Sequence, residues 1–263
     1  MNTHIESAAE TLGSPDSANV AWSKKGMWSF YEFIIPINFL RSIEETFALA
    51  NPISGGDFLD IGCGSGLGFE RNVAWIRGSG RWTAVDPDPL ALQHCKIRAQ
   101  RLDIADRVRL ARLRAEELEH LGSAEFDGAY AHFSLYAISG EENRRRAVAS
   151  AFHVLRPGAR FACAVPGQRY NRHALVEHAR NLERARSDIS VWQRWKRNWI
   201  NYTFLKAANK MLDEQLDRDA MHRYSREELM EHFHSAGFED VTCRHVDGFN
   251  AYQIVGTRPR RSE

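Results

Sequence analysis

The feature that most constrains this chain is a short apolar run, Asp57 to Ile61, that passes directly into Gly62-Cys63-Gly64-Ser65-Gly66. A buried run of this length followed at once by alternate glycines reads as a strand entering a tight turn. Glycine is required where a side chain would keep a ligand from the backbone, and where the turn needs positive φ. Downstream, the spacing predicts strands at 57–61, 81–85, 108–113, 126–131, 160–165, 241–246 and 251–257, and helices at 67–76, 89–101, 141–155 and 225–236. An earlier helix is expected from the recurrence of Phe39, Ile43, Phe47 and Ala50. Strands alternating with helices at this pitch make βαβ units. The expected fold class is therefore α/β, a Rossmann-like, mostly parallel seven-stranded sheet with helices on both faces.

The glycine spacing narrows the ligand. A dinucleotide loop requires G-x-G-x-x-G, but the third position counted from Gly62 is Leu67 and from Gly64 is Phe69. The pattern is instead D-x-G-x-G-x-G, beginning at Asp60. It resembles motif I of the class I S-adenosylmethionine-dependent methyltransferases. The resemblance implies S-adenosylmethionine as cofactor, held by Asp60, Gly62, Cys63, Gly64 and Gly66, with Asp60 facing the ligand's cationic amino-acid end. Asp86, followed by Pro87 at the end of the second strand, lies twenty residues beyond Gly66. A carboxylate there accepts hydrogen bonds from both ribose hydroxyls.

Arg114-Ala115-Glu116-Glu117-Leu118 stands where the family often has Asp-Ala-Glu-x-Leu. Arg114 replaces the acid, leaving Ala115 and Glu116 for the adenine edge, with Glu116 equally readable as a helix-start acid. Phe126-Asp127-Gly128 resembles the family's fourth strand, and Gly158 its turn into the fifth. Tyr224 to Leu229, followed by Ala236-Gly237-Phe238, resembles the late helix of the small-molecule, type 11-like subgroup. The resemblance covers about residues 55–166 and 222–258.

A sulfonium-bound methyl is already electrophilic, so the protein's task is to bind, align and dry the reacting pair. His132, just past the fourth strand, is the first candidate base and also a candidate cofactor-lining group, since an unperturbed imidazole titrates near neutrality. His222 is the second candidate and Tyr136 the third. The remaining histidines, including His232 and His234 on the late helix, are expected to be ordinary surface groups. They show no metal-ligand spacing, and no metal is expected.

Residues 1–19, poor in large apolar side chains, read as a disordered leader to a methyltransferase domain at 20–263. From about 168 to 222 the alternation is replaced by a helical cap or lid insertion. In it Trp192, Trp195, Trp199 and Tyr202 form one helical stripe interleaved with Arg and Lys. That stripe is a core-packing cap, a lid over an apolar pocket, or an interfacial helix touching a membrane. Trp195 and Trp199, with Trp28 and Tyr31 from the aromatic N-terminal stretch, are the candidate substrate-binding residues.

Lys+Arg at 35 against Asp+Glu at 34 leaves no global pull towards nucleic acid. Ala131-His132-Phe133-Ser134 also lacks the Asn/Asp-Pro-Pro-Tyr/Phe tetrapeptide of amino-methylating enzymes that act on nucleic acids and proteins. Cys63, Cys95, Cys163 and Cys243 are far apart in sequence and form no CxxC pair, which argues against a disulfide framework and suits a reducing cytoplasm. The expected function is methyl transfer to a small, partly apolar or aromatic acceptor, with O-transfer ahead of N- or C-transfer. The alternatives are a lipid- or quinone-type methyltransferase at a membrane surface and a non-catalytic, methyltransferase-like cofactor-binding subunit.

Overall fold

The computed structural model describes residues 35–78, 80–170, 174, 177, 178, 181, 222–246 and 250–260. The leader, Trp28, Tyr31, Trp195, Trp199 and most of the 168–222 insertion lie outside them.

Helix α1 (Ile37–Leu49) precedes a seven-stranded sheet of order β3-β2-β1-β4-β5-β7-β6. The strands are β1 (Asp57–Ile61), β2 (Arg81–Val85), β3 (Val108–Ala111), β4 (Phe126–His132), β5 (Leu155–Pro166), β6 (Glu239–Val246) and β7 (Ala251–Thr257). All neighbouring pairs from β3 to β5 are parallel, while β7 runs antiparallel to both β5 and β6. The order reverses at β1, with β2 on one side and β4 on the other. In an open α/β sheet that reversal is where a ligand crevice opens, beyond the carboxyl ends of the strands.

Alternation along the strands sends side chains to two cores. Leu59, Ile61, Ala129 and Ala131 face one core with α5 (Glu141–Val154) and α6 (Arg226–Ala236). Phe58, Trp82, Ala84 and Tyr130 face the other, with α1, the short helices α2 (Leu67–Arg71) and α3 (Val73–Arg77), and α4 (Pro89–Arg101). Each fully buried ring of the second core contributes about 1.5–3 kcal/mol relative to exposure.

Two local predictions are corrected. The helix expected at 67–76 is two helices, because Asn72 leaves the helical conformation (φ −111°, ψ 22°) and its Nδ2 donates to Gly68 O at 2.8 Å. That side-chain bond competes with the helical ladder. Strand β5 begins at Leu155 rather than 160, since Leu155 already pairs with Phe126 across a bulge. On α6, Ser225 Oγ caps the helix by accepting the Glu228 N–H at 3.0 Å, while the Glu228 carboxylate meets His222 Nε2 at 2.6 Å.

Candidate functional site

The loop between β1 and α2 turns through three left-handed glycines: Gly62 at φ 73°, Gly64 at 54° and Gly66 at 84°. A Cβ on Gly62 would lie 2.3 Å from Ser134 Cβ, and one on Gly66 2.4 Å from the Phe69 ring, so the loop admits glycine alone at both places. Four of the loop's N–H groups are used inside the protein. Gly62 and Cys63 both donate to Val85 O, at 2.8 and 3.0 Å, and Gly66 donates to Cys63 O at 3.0 Å. Gly64 donates to Asp86 Oδ2 at 2.9 Å. A phosphate cradle turns a run of N–H groups to its anion; here those of all three glycines and of Cys63 are turned inward, which agrees with a ligand that has no pyrophosphate.

Asp86 closes β2 opposite the loop. Its Oδ1 accepts the Asp88 N–H at 2.9 Å, so each carboxylate oxygen holds one backbone donor and keeps lone-pair capacity for another. Burial pushes its pKa up to about 6 against the restraint of those two bonds. Pro87 follows, its carbonyl accepting Arg112 Nε at 3.2 Å.

Asp60 lies beneath the loop, 2% exposed, with its Oδ2 3.4 Å from the Tyr130 hydroxyl. Burial raises its pKa to about 8. Without an ion beside it the carboxyl group therefore holds its proton at neutral pH.

The cysteines, far apart in sequence, meet here. Cys63 Sγ lies 3.6 Å from Cys95 Sγ on α4, and Cys95 Sγ is 3.2 Å from Gly64 O. Both are free thiols, and burial raises that of Cys63. The Cys63 side chain therefore faces α4, and only its backbone belongs to the loop surface. Among the described residues no group of three or more His, Cys, Asp or Glu side chains is arranged to hold a metal ion.

On the adenine side, Ala115 opens a 3-10 turn (Ala115–Leu121) beyond β3. Arg114 precedes it, its N–H donating to Glu117 Oε2 at 3.3 Å and its guanidinium 3.8 Å from the largely buried Glu116 carboxylate. The arginine that replaces the family's usual acid thus holds Glu116 in place.

The opposite wall grows from the end of β4. His132 Nε2 is 2.8 Å from Ser42 Oγ on α1, and the ring stands edge-on to Phe39 at 4.8 Å between centroids. Desolvation lowers its pKa to about 3. The premise that this imidazole titrates near neutrality is therefore corrected: it is neutral throughout the physiological range.

Phe133 then takes φ 50°. Among the described residues, four of the six non-glycine residues with positive φ are Asn or Asp, which tolerate that region; for a phenylalanine the conformation costs on the order of 1–3 kcal/mol. Its N–H bonds Ala164 O at 2.8 Å, and the next residue, Ser134, donates Oγ to Ile61 O at 2.6 Å. These two bonds fix the turn from both sides. The Phe133 ring meets Phe39, Tyr136 and Tyr170 at centroid distances of 5.1, 6.2 and 5.8 Å.

His222 is built into the same edge. Its backbone N–H donates to Tyr136 O at 2.8 Å, its ring stands edge-on to Tyr224 at 4.7 Å, and Nε2 lies 2.6 Å from Glu228 Oε1. Glu228 is also 3.9 Å from Arg144. The structure thus brings Asp60, the glycines, Asp86 and His132 to one end of the sheet, with Tyr136 and His222 beside them. Sequence reasoning missed Phe39, Ser42, Ser134 and Tyr170. Only the glycine pattern carried a signal for Ser134, as a loop without a side chain that something else must fill. His232, expected at the surface, is 1% exposed, and neither ring nitrogen has a hydrogen-bond partner among the described residues.

A parallel sheet with a reversed seventh strand and this loop at the switch point define a class I methyltransferase fold. Residues 58–158 match the family model described as a methyltransferase domain. The S-adenosyl-L-methionine-dependent Diels–Alderase iccD of Talaromyces variabilis is 34% identical over 193 residues, 70% of this chain and 62% of that protein. The chain thus spans less than two thirds of that relative's length. Among solved structures, phosphoethanolamine N-methyltransferase 2 of Haemonchus contortus in complex with S-adenosyl-L-methionine superimposes with a TM-score of 0.64 at 14% identity, covering 94% of this chain and 61% of that one. Geranyl diphosphate C-methyltransferase of Streptomyces coelicolor A3(2), in complex with S-adenosyl-L-homocysteine, gives a TM-score of 0.56 at 14% identity, covering 83% and 75%. Residues 58–158 are a methyltransferase domain, and the chain has the fold of the class I S-adenosylmethionine-dependent family.

Proposed function

We propose that the chain binds S-adenosylmethionine across Gly62–Gly66 and Asp86 and transfers its methyl group to a small, uncharged, partly apolar acceptor. The observation that carries this reading is the pairing of a loop whose three glycine N–H groups are spent internally with a half-buried carboxylate that retains acceptor capacity. Such a site suits ribose hydroxyls and a cationic amino-acid end better than a phosphate.

The cofactor supplies an electrophilic methyl on a sulfonium centre when bound. In this reading Asp86 accepts the ribose hydroxyls, Ala115 and Glu116 border the adenine, and a cationic group bound above Asp60 draws its raised pKa down and favours the ionised carboxylate. The aromatic groups beyond β4 exclude water and orient the acceptor. O-transfer loses the support it drew from a near-neutral His132. An imidazole with so low a pKa is a weak general base, which favours acceptors whose nucleophile needs no proton removed before attack.

A second reading follows from the 34% identity to a protein named as a Diels–Alderase: this chain binds the cofactor and closes a ring without spending the methyl group. Both readings are tested by calorimetric titration of the full chain with S-adenosylhomocysteine, then by assay of homocysteine-product release against a panel of apolar acceptors. We expect micromolar binding that Asp86→Ala weakens strongly; an intact chain that does not bind refutes both readings. Binding with turnover but no release of S-adenosylhomocysteine selects the cyclase. The lipid-surface alternative rests on residues 191–212, outside the described residues, and vesicle co-sedimentation decides it. No helix among the described residues is long and apolar enough to cross a membrane.

A further inference from the structure

We propose that Cys63 and Cys95 are a modification site: a hydroperoxide joins them in a reversible disulfide, and the bridge weakens the hold of the Gly62–Gly66 loop on the methyl donor. The effect on the donor rests on the reading of that loop as its seat; the bridge itself does not.

The two thiols come from separate segments, the turn after β1 and the middle of α4, and their sulfurs lie 3.6 Å apart. A disulfide needs about 2 Å between sulfurs, so the pair closes by about 1.5 Å. The chain has four cysteines, and no other pairing is open to them. Cys163 and Cys243 belong to the core on the opposite face of the sheet from Cys63 and Cys95. Cys163 on β5 and Cys243 on β6 both pair with Ile254 of β7, which lies between them. Two ladder spacings put their backbones about 10 Å apart, beyond the reach of a disulfide.

The sulfurs are tied to the centre of the loop. Cys95 Sγ donates to Gly64 O at 3.2 Å, and Cys63 Sγ lies 3.8 Å from the same oxygen. The Gly64 N–H donates to Asp86 Oδ2 at 2.9 Å, and Asp86 is the group that meets the ribose in the donor reading. Gly64 is therefore held twice, by a thiol on its carbonyl and by a carboxylate on its N–H. A disulfide carries no S–H, so bridging takes both sulfur donors from Gly64 O. The Cys63 N–H is anchored on Val85 O at 3.0 Å, and a Cβ on Gly66 would stand 3.0 Å from Cys95 Sγ. With one neighbour anchored and the other packed on the sulfur, the movement falls on Gly64 and its bond to Asp86.

Cys63 is the more accessible of the two, 8% exposed against 0% for Cys95, and is oxidised first. Its sulfur takes the terminal oxygen of the hydroperoxide; the O–O bond breaks, water or an alcohol leaves, and a sulfenic acid remains. The Cys95 sulfur then attacks the Cys63 sulfur. The S–O bond breaks, and the hydroxide departs as water with the Cys95 proton. Two thiols give up two electrons, and the hydroperoxide accepts them. Burial raises the Cys63 thiol pKa, which keeps the thiolate scarce and the first step slow. The second step joins atoms that already touch, so it has no encounter to wait for. A small thiol reverses the bridge by exchange.

The test oxidises the full, ligand-free chain with hydrogen peroxide and maps its disulfides by peptide mass spectrometry. We expect one bridge, between the peptides of Cys63 and Cys95, with Cys163 and Cys243 alkylated as free thiols after unfolding. Calorimetry should then show S-adenosylhomocysteine bound at least about fivefold more weakly, the scale of one lost hydrogen bond. Dithiothreitol should restore the affinity. Cys95→Ser keeps a hydroxyl donor for Gly64 O and cannot bridge, so the same treatment should change its affinity by less than about twofold. Cys243→Ser should respond as the wild type does. No bridge between Cys63 and Cys95, a bridge without loss of affinity, an equal loss in Cys95→Ser, or no loss in Cys243→Ser each overturns the proposal. Should Cys95→Ser fail to bind S-adenosylhomocysteine, Cys95→Ala takes its place under the same criteria. A reduced wild-type chain that does not bind S-adenosylhomocysteine refutes the donor reading instead, and the bridge is mapped without the donor, so the two failures are distinct.

Discussion

Ser42 on α1 and His132 at the end of β4 share a 2.8 Å hydrogen bond, and the Ser42 hydroxyl also donates to Phe39 O at 2.8 Å. A hydroxyl has one proton to give. With that proton on the Phe39 carbonyl, His132 is the donor through Nε2, which leaves its lone pair on Nδ1. His132, expected from the sequence as a candidate base or a cofactor-lining group, is thus held as a neutral strut between a helix and the sheet.

Its protonation sets a pH dependence. The unfolded chain takes up a proton on His132 as pH falls below about 6.5, while the folded chain resists until about 3. Stability is therefore whole above pH 6.5 and is lost between 6.5 and 3, by at most about 1.4 kcal/mol per pH unit from this group. Urea unfolding of wild type and His132→Gln at pH 7.5, 6.5 and 5.5 should give the flatter profile in the variant. Parallel profiles would remove His132 from this account.

Asp86 predicts the opposite trend in the free protein and a binding effect besides. Its folded pKa of about 6 lies above the ordinary 3.8, so acidification from 6 to 3.8 relieves a buried charge and favours the ligand-free fold. Over the same range the ionised acceptor for ribose is lost. Affinity for S-adenosylhomocysteine should fall up to about tenfold between pH 7.5 and 5. Asp86→Asn should bind about 10- to 100-fold more weakly at pH 7.5, as expected for hydrogen bonds to a charged group. It should also lose this pH dependence in calorimetry.

Gly68 is needed for space rather than for its φ. A Cβ there would stand 1.8 Å from the Tyr130 hydroxyl and 2.7 Å from Asp60 Oδ2. Gly68→Ala should destabilise the protein by about 1–3 kcal/mol through overpacking. Adding Tyr130→Phe should recover part of that loss, with a coupling above about 0.5 kcal/mol in a double-mutant cycle. Strict additivity would assign the cost to something other than this contact.

His232 offers a stabilising substitution. It is buried on α6 with both ring nitrogens unpartnered among the described residues, and desolvation lowers its pKa. His232→Leu removes those unsatisfied atoms and should raise stability by about 1 kcal/mol at pH 7.5 and more at pH 5.5 in chemical denaturation. A loss of stability at both pH values would mean that the ring nitrogens have partners.

Much of the sheet was legible because each signal was local. Strands 57–61, 81–85 and 251–257 and the helix 89–101 fall where alternation and flanking Pro, Gly and Asp placed them. The errors lie where a distant or side-chain partner decides. Asn72 breaks a helix by bonding Gly68, and Leu155 joins β5 because Phe126 is beside it. The same division runs through the site. The glycines and Asp86 announce themselves by spacing. The Ser42–His132 bond spans 90 residues and Cys63–Cys95 spans 32, and no pattern in sequence brings either pair together.

The Gln253 side chain on β7 donates to Thr46 Oγ1 at 2.9 Å and to Ser42 O at 3.2 Å, joining α1 to a strand more than 200 residues later. Contacts of such separation close large loops and form slowly. During synthesis the chain emerges from its N-terminus, so the glycine loop and its neighbouring strands are available for pairing long before β7 exists. Helix α1 can already settle on the end of β4 through Ser42–His132 and Phe39–Phe133, but its bonds to Gln253 wait. The site can therefore assemble before the strand that locks its helix in place has left the ribosome.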